Sequence, residues 1–182
     1  MSQALLIIDI QNDYFPGGAM ELVGSLEAAA RAKDVLAHFR GRGLPVVHIQ
    51  HVAEDADATF FLPNSGGVQI NESVMPDEGE MLITKHHPNA FQETPLLGHL
   101  RLHQITQLLI VGMMTHMCID STTRAASDHG FEVTLVHDAC ATRDLSFGNA
   151  SVTAEQVQTS FLAAIDGTFA EVRSTAEILR TS

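Results

Sequence analysis

Residues 108–142 read LLIVGMMTHMCIDSTTRAASDHGFEVTLVHDACAT, and this stretch decides the fold. Gln107 to Gly112 is a near-continuous apolar run, the pattern of a strand buried on both faces. The linker MMTHM then leads into a helix from Cys118 to His129, which Gly130 closes. Phe131 to Val136 is apolar again, a second strand. Strand, helix and strand in this alternation build a parallel sheet.

The alternation continues outward in both directions. Ala4 to Ile10 is an apolar run read as a buried strand, followed by a helix from Ser25 to Arg42. Leu26, Ala29, Ala32, Leu36 and Phe39 recur at helical steps and give that helix one apolar face, and Gly41 and Gly43 stop it. Leu44 to Val52 and Glu80 to Lys85 are the next strands. Thr94 and Pro95 open a helix as N-cap and first-turn proline, with Leu96, Leu97 and Leu100 inward. Toward the other end, Thr153 and Gln156 form a capping-box pattern before a helix carrying Val157, Phe161 and Ile165. Phe169 to Arg173 reads as a last strand and Thr175 to Arg180 as a last helix. The expected fold is a single α/β domain over residues 1–182, an open, mostly parallel sheet with helices on both faces. Residues 53–80 interrupt the pattern. So long an irregular stretch in a compact domain is a lid or a pocket wall.

Composition narrows the partners. The 182 residues are 45% hydrophobic and 18% charged, as in a soluble globular protein. A formal net charge of -12 repels phosphate backbones and anionic lipid, so a small molecule is expected rather than nucleic acid or membrane. No apolar run reaches the ~18 residues of a membrane span. The opening MSQALLIIDIQNDYF has no basic segment before its apolar run and is read as a strand, not a signal peptide; a cytoplasmic location is expected. Without signs of secretion, Cys118 and Cys140 are not expected to form a structural disulfide.

Ligands of open parallel sheets sit beyond the carboxyl ends of the strands. Three reactive residues lie at such ends: Asp9 in the first strand, Lys85 closing MLITK, and Cys118 after LLIVG and its linker. A carboxylate in an apolar strand is costly to bury unless paired, and Lys85 offers a partner. Each has a plain structural reading as well, a salt-bridged acid, a solvated lysine and a small buried thiol. At a helix start the Cys118 thiolate gains from the helix dipole and unpaired N–H groups, and a nearby lysine adds to that. Cys140 has no such neighbour and reads as a small buried residue.

Three motifs together resemble the isochorismatase-like cysteine hydrolases: LLIIDIQNDYF (5–15), MLITKHHPNAF (81–91) and the 108–142 stretch, in family order and covering nearly the whole chain. The resemblance implies a Rossmann-like α/β/α fold with about six strands, no cofactor, and a homodimer or larger homo-oligomer. It implies Cys118 as nucleophile, Asp9 as the proton carrier and Lys85 as the group holding both in place. It further implies a cis peptide between Met113 and Met114, and an oxyanion hole from the N–H groups of Met114 and Cys118. Family members that cleave a vinyl ether tend to lack the cysteine, so its presence here implies hydrolysis of an amide or carbamoyl C–N bond through a thioester.

The nicotinamidase branch of the family binds a divalent metal through an Asp-x-His pair. That spacing is missing from HIQHVAEDADATFF, although His48, His51, Asp55 and Asp57 lie there. Candidates for the pocket are Asn12, Tyr14, Phe15, Phe60, Phe61, His86, Phe91 and His116, for each of which core packing is the alternative. The rival functions are vinyl-ether hydrolysis, thiol redox chemistry, which the lack of a CxxC spacing disfavours, and a non-enzymatic binding module.

Overall fold

In the computed structural model, which describes residues 2–180, the chain opens with β1 (Ser2–Ile8). Met1, Thr181 and Ser182, the ends of the domain expected over residues 1–182, lie outside the described residues. After β1 come α1 (Ser25–Gly41), β2 (Val46–His51), β3 (Met81–Lys85), α2 (Leu96–Leu102) and β4 (Ile105–Met113). One π-helical turn (Thr115–Ile119) leads into α3 (Asp120–Asp128) and β5 (Glu132–Ala141). A hairpin of β6 (Leu145–Phe147) and β7 (Ala150–Val152), then α4 (Ala154–Ile165), β8 (Glu171–Arg173) and α5 (Thr175–Arg180) follow.

Six strands form one parallel sheet in the order β3-β2-β1-β4-β5-β8. The chain works from β1 to one edge, returns to the middle at β4, and works to the other edge. Strand order therefore reverses between β1 and β4, where a crevice opens at the carboxyl ends. Both faces are covered. Leu5 and Ile7 share a core with Ala32, Leu36 and Phe39 of α1 and Ile178 of α5. Ala4, Leu6 and Ile8 share another with Leu96 and Leu100 of α2, Ala126 of α3 and Ile165 of α4. Leu5, Leu6 and Ile8 are fully buried, and each such side chain contributes roughly 1.5–3 kcal/mol. Among the described residues no helix is long and apolar enough to cross a membrane.

Several boundaries differ from those expected, each for a local reason. β1 stops at Ile8 rather than Ile10, because Asp9 takes a left-handed conformation (φ 51) and turns the chain out of the sheet. The stripe of α1 runs through Ala28, Ala32, Val35 and Phe39, which rotates Leu26 to the flank; it is 58% exposed rather than inward. β5 continues past Val136 to Ala141. A register shift between Ile110 and Gly112 lets Gly112 and Met113 pair with Cys140 and Ala141. The helix expected from Cys118 begins earlier, as the π turn, so Cys118 sits inside that turn and α3 starts only at Asp120. The β6–β7 hairpin was not expected, and it leaves Phe147 almost wholly exposed. Thr94 keeps part of its expected capping role, accepting from the Leu96 N–H at 3.3 Å. The capping box of Thr153 and Gln156 is present in full.

Gly112 marks the tightest approach. Its φ is 135, and a Cβ there would lie 2.0 Å from the carbonyl oxygen of Ile8. Neither backbone can move without breaking the β1–β4 ladder. Gly112→Ala is expected to destabilise the fold by about 3 kcal/mol or more, read as a fall in the urea midpoint. A loss under about 1 kcal/mol would show that the central strands can separate freely.

Candidate active site

Asp9, Lys85 and Cys118 leave three different strand ends and meet in one buried place. Asp9 follows β1, Lys85 ends β3 and Cys118 follows β4. Asp9 and Lys85 are wholly buried, and Cys118 is 6% exposed. Lys85 Nζ lies 2.7 Å from Asp9 Oδ2, and it is 3.2 Å from Cys118 Sγ and 3.1 Å from the His87 carbonyl.

A fourth neighbour joins them. His51 ends β2, in register with Lys85 across the β2–β3 ladder, and its Nδ1 is 2.9 Å from Nζ. An ammonium has protons but no acceptor, so Nδ1 accepts and the ring is neutral. Burial, and then the Lys85 charge, push the His51 imidazole down to about 4, which agrees with that state.

The thiol is deeply buried within the π turn. Burial pushes Cys118 far above the ordinary thiol range, Asp9 adds to the rise, and Lys85 opposes it only in part. A single buried turn does not give the exposed helix start on which the expected thiolate rested. For Lys85 burial favours the neutral amine, but Asp9 and then Cys118 outweigh it, and the ammonium is held above its usual range. Burial and Asp9 together favour the neutral form of the thiol, beside the 2.7 Å contact of Lys85 with Asp9. Asp9 Oδ1 is buried without a hydrogen-bond partner. An orphan of that kind calls for an explanation, and proton transfer is one.

The segment that carries Asp9 also clamps the irregular stretch. Gln11 donates to the carbonyls of His51 (2.8 Å) and Val68 (2.7 Å) and accepts from the His51 N–H (2.8 Å). Asp13 accepts from the N–H groups of Phe61 (2.6 Å) and Ala19 (3.2 Å). Asn12 donates to the Gly66 carbonyl (3.1 Å) and accepts from Asn71 (3.0 Å). Gln11 and Asp13 were missed in the sequence. The available signal was the spacing of polar side chains at 9, 11 and 13 directly after an apolar strand.

Beside the reactive group lies a cavity of about 560 Å³ lined in part by His51, Glu54, Phe60, His86 and His87. Of the pocket candidates, Phe60 and His86 line it directly. Phe61 is buried behind Phe60, between the rings of Tyr14 (4.7 Å) and His51 (5.8 Å). Tyr14 is buried too. Burial and then the nearby Cys118 and Asp9 push its hydroxyl well above the usual range, which sets it beside the site. His116 holds Thr142 Oγ1 at 2.6 Å, and Phe15 is buried in the α1-side core. Phe91 is drawn elsewhere, edge-on to His129 (5.0 Å) and stacked on Phe131 (6.1 Å) by the amino end of β5. The Met113–Met114 peptide is cis, and Met114 is buried.

The four residues weighed for a metal do not converge. His48 points to the other side of the sheet, where Nε2 meets Glu80 at 2.8 Å, while Asp55 and Asp57 lie on the cavity rim. Among the described residues, the donors that do converge are Asp9, His51 and Cys118, all within 4.8 Å of one another. Lys85 Nζ already contacts each of them, so an organic cation stands where an ion would bind, and the set does not fit a metal.

A family model for the isochorismatase domain matches residues 3–177. An uncharacterized isochorismatase family protein of Bacillus subtilis (strain 168), YddQ, is 48% identical over 180 residues, 99% of this chain and 100% of that protein. A streptothricin hydrolase of Streptomyces noursei is 32% identical over 143 residues, 79% of this chain and 51% of that protein. The crystal structure of a proposed isochorismatase hydrolase from Oleispira antarctica superposes with a TM-score of 0.94 at 48% identity, covering 98% of this chain and 96% of that one.

Proposed function

The chain belongs to the isochorismatase family of hydrolases, and from that premise we propose that it hydrolyses a C–N bond of a small amide or carbamoyl compound through a thioester on Cys118. The observation that carries this proposal is the Lys85 ammonium, buried and in contact with both the Asp9 carboxylate and the Cys118 sulfur. The streptothricin hydrolase supports the hydrolase class.

The steps follow from the resting arrangement. As the sulfur attacks the carbonyl carbon, the thiol proton passes to Asp9, whose Oδ1 is otherwise unpartnered. Because the thiol starts neutral, proton transfer and attack are coupled. The tetrahedral oxyanion faces the N–H groups of Met114 and Cys118, each donor worth about 3–4 kcal/mol in the transition state. Asp9 returns the proton to the leaving nitrogen as the C–N bond breaks. It then takes a proton from the water that opens the thioester and returns it to the departing sulfur, which restores the thiol. Lys85 stays charged throughout and keeps the carboxylate from drifting.

Hydroxylamine tests this route. The protein is screened against small primary amides and N-carbamoyl compounds with ammonia release as readout. For any amide turned over, added hydroxylamine should divert the acyl group to a hydroxamate while ammonia release continues. Turnover that never yields hydroxamate would remove the thioester from the mechanism.

A further inference from the structure

We propose that His51 is a substrate-binding residue, a hydrogen-bond donor fixed in place by Lys85, and that the amide substrate carries a second, uncharged carbonyl close to the scissile one. The proposal rests on the hydrolase function above and adds a substrate class to it. Neither the backbone nor the ring of His51 is free to turn. Gln11 accepts from its N–H at 2.8 Å and donates to its carbonyl at 2.8 Å. The ring packs against Phe61, with centroids 5.8 Å apart. Nδ1 takes one of the Lys85 ammonium protons at 2.9 Å, while the others point to the His87 carbonyl (3.1 Å) and the Cys118 sulfur (3.2 Å).

A ring nitrogen that accepts a hydrogen bond carries no proton of its own, so the proton of the neutral imidazole sits on Nε2. Burial and then the Lys85 charge push the ring down to about 4, so the neutral form persists through neutral pH. Nε2 lies across the ring from Nδ1. No described residue takes its proton, and it is not among the buried polar atoms left without a partner, so the N–H opens on the cavity that His51 helps to line. One ring nitrogen lies within 4.8 Å of the Cys118 sulfur, close enough for a single small molecule to touch both. With the oxyanion assigned to backbone N–H groups, the imidazole is left for another acceptor. That acceptor is not a carboxylate: Glu54, Asp55 and Asp57 line the same cavity, and no lysine or arginine does. A site with a placed, neutral donor discriminates against ligands that lack the matching acceptor.

Acetoacetamide and butyramide have the same chain length and differ by one keto oxygen. Each is titrated into Cys118→Ala protein carrying ring-labelled histidine, and binding is followed by nuclear magnetic resonance. Before ligand is added, long-range proton–nitrogen correlations should show His51 as a single neutral Nε2–H tautomer from about pH 5 to 8, and Lys85→Met should release it to a titrating mixture. Acetoacetamide is expected to bind at least about fivefold tighter and to shift Nε2. His51→Phe should bring the ratio to within about twofold, and His51→Gln, which can accept from Lys85 and still donate, should recover part of it. An Nδ1–H tautomer or a charged ring in that pH range would overturn the donor, and this measurement needs no variant at His51. Equal affinities, a preference that survives His51→Phe in folded protein, or no binding of either compound would overturn it too. A clear preference for acetoacetamide in a protein whose wild type releases ammonia from no amide would leave the donor standing and sink the hydrolase function. Hydrolysis of butyramide as fast as acetoacetamide, unchanged in His51→Phe, would do the reverse.

Discussion

Lys85→Met should lose both stability and activity, and the two losses should separate in a double variant. Removing the ammonium leaves Asp9 as an unpaired charge in a fully buried position, which typically costs about 3–5 kcal/mol. Turnover should fall on the order of 10²–10³-fold or more, since carboxylate and sulfur lose their shared cation. Adding Asp9→Asn removes the orphaned charge, so the double variant should regain much of the stability and none of the activity. The sign of the pH dependence follows from the direction of the Lys85 shift. A raised ammonium contributes stability that is fully present below the ordinary lysine value of 10.5 and disappears as pH rises through the higher folded value. The deficit of Lys85→Met should therefore be flat through neutral pH and shrink only in strong alkali. Urea melts across pH check this. A single variant within about 1 kcal/mol of wild type would mean that Asp9 is neutral or wetted in the folded protein.

Cys118→Ala should show the opposite pattern, with activity lost and the fold kept. Removing a catalytic nucleophile costs roughly 10⁴-fold or more in turnover. Stability should stay within about 1 kcal/mol of wild type, because the thiol is neutral at rest and its loss strands no charge. Lys85 keeps Asp9, His51 and the His87 carbonyl as neighbours. Cys140→Ala is the control. That thiol is pushed up to about 12 by burial and donates to the Val136 carbonyl within β5, so its removal should leave turnover unchanged. Residual hydrolysis near the wild-type rate in Cys118→Ala would hand the chemistry to a water activated by Asp9.

Asp9, Lys85 and Cys118 were legible because each follows an apolar run whose buried strand could be read without knowing its neighbours. The sheet they converge on was legible for the same reason. What escaped depends on contacts between distant segments. His51 could be seen as a histidine, but its bond to Lys85 follows from the register of β2 on β3. The second half of β5 reads as a loop because His137 and Asp138 interrupt it, and only the shift at Gly112 lets it pair. The helix that follows Cys118 was visible in the sequence, and the depth at which the thiol is buried was not.

Five residues, Asp9 to Asp13, hold the buried carboxylate at one end and the clamp on the irregular stretch at the other. Wall and carboxylate are in that sense one mechanical part, and swinging the wall outward would pull the carboxylate away from Lys85. An enzyme built this way selects by sieve rather than by gate. Its aperture is held in the resting fold by the hydrogen bonds of Gln11 and Asp13.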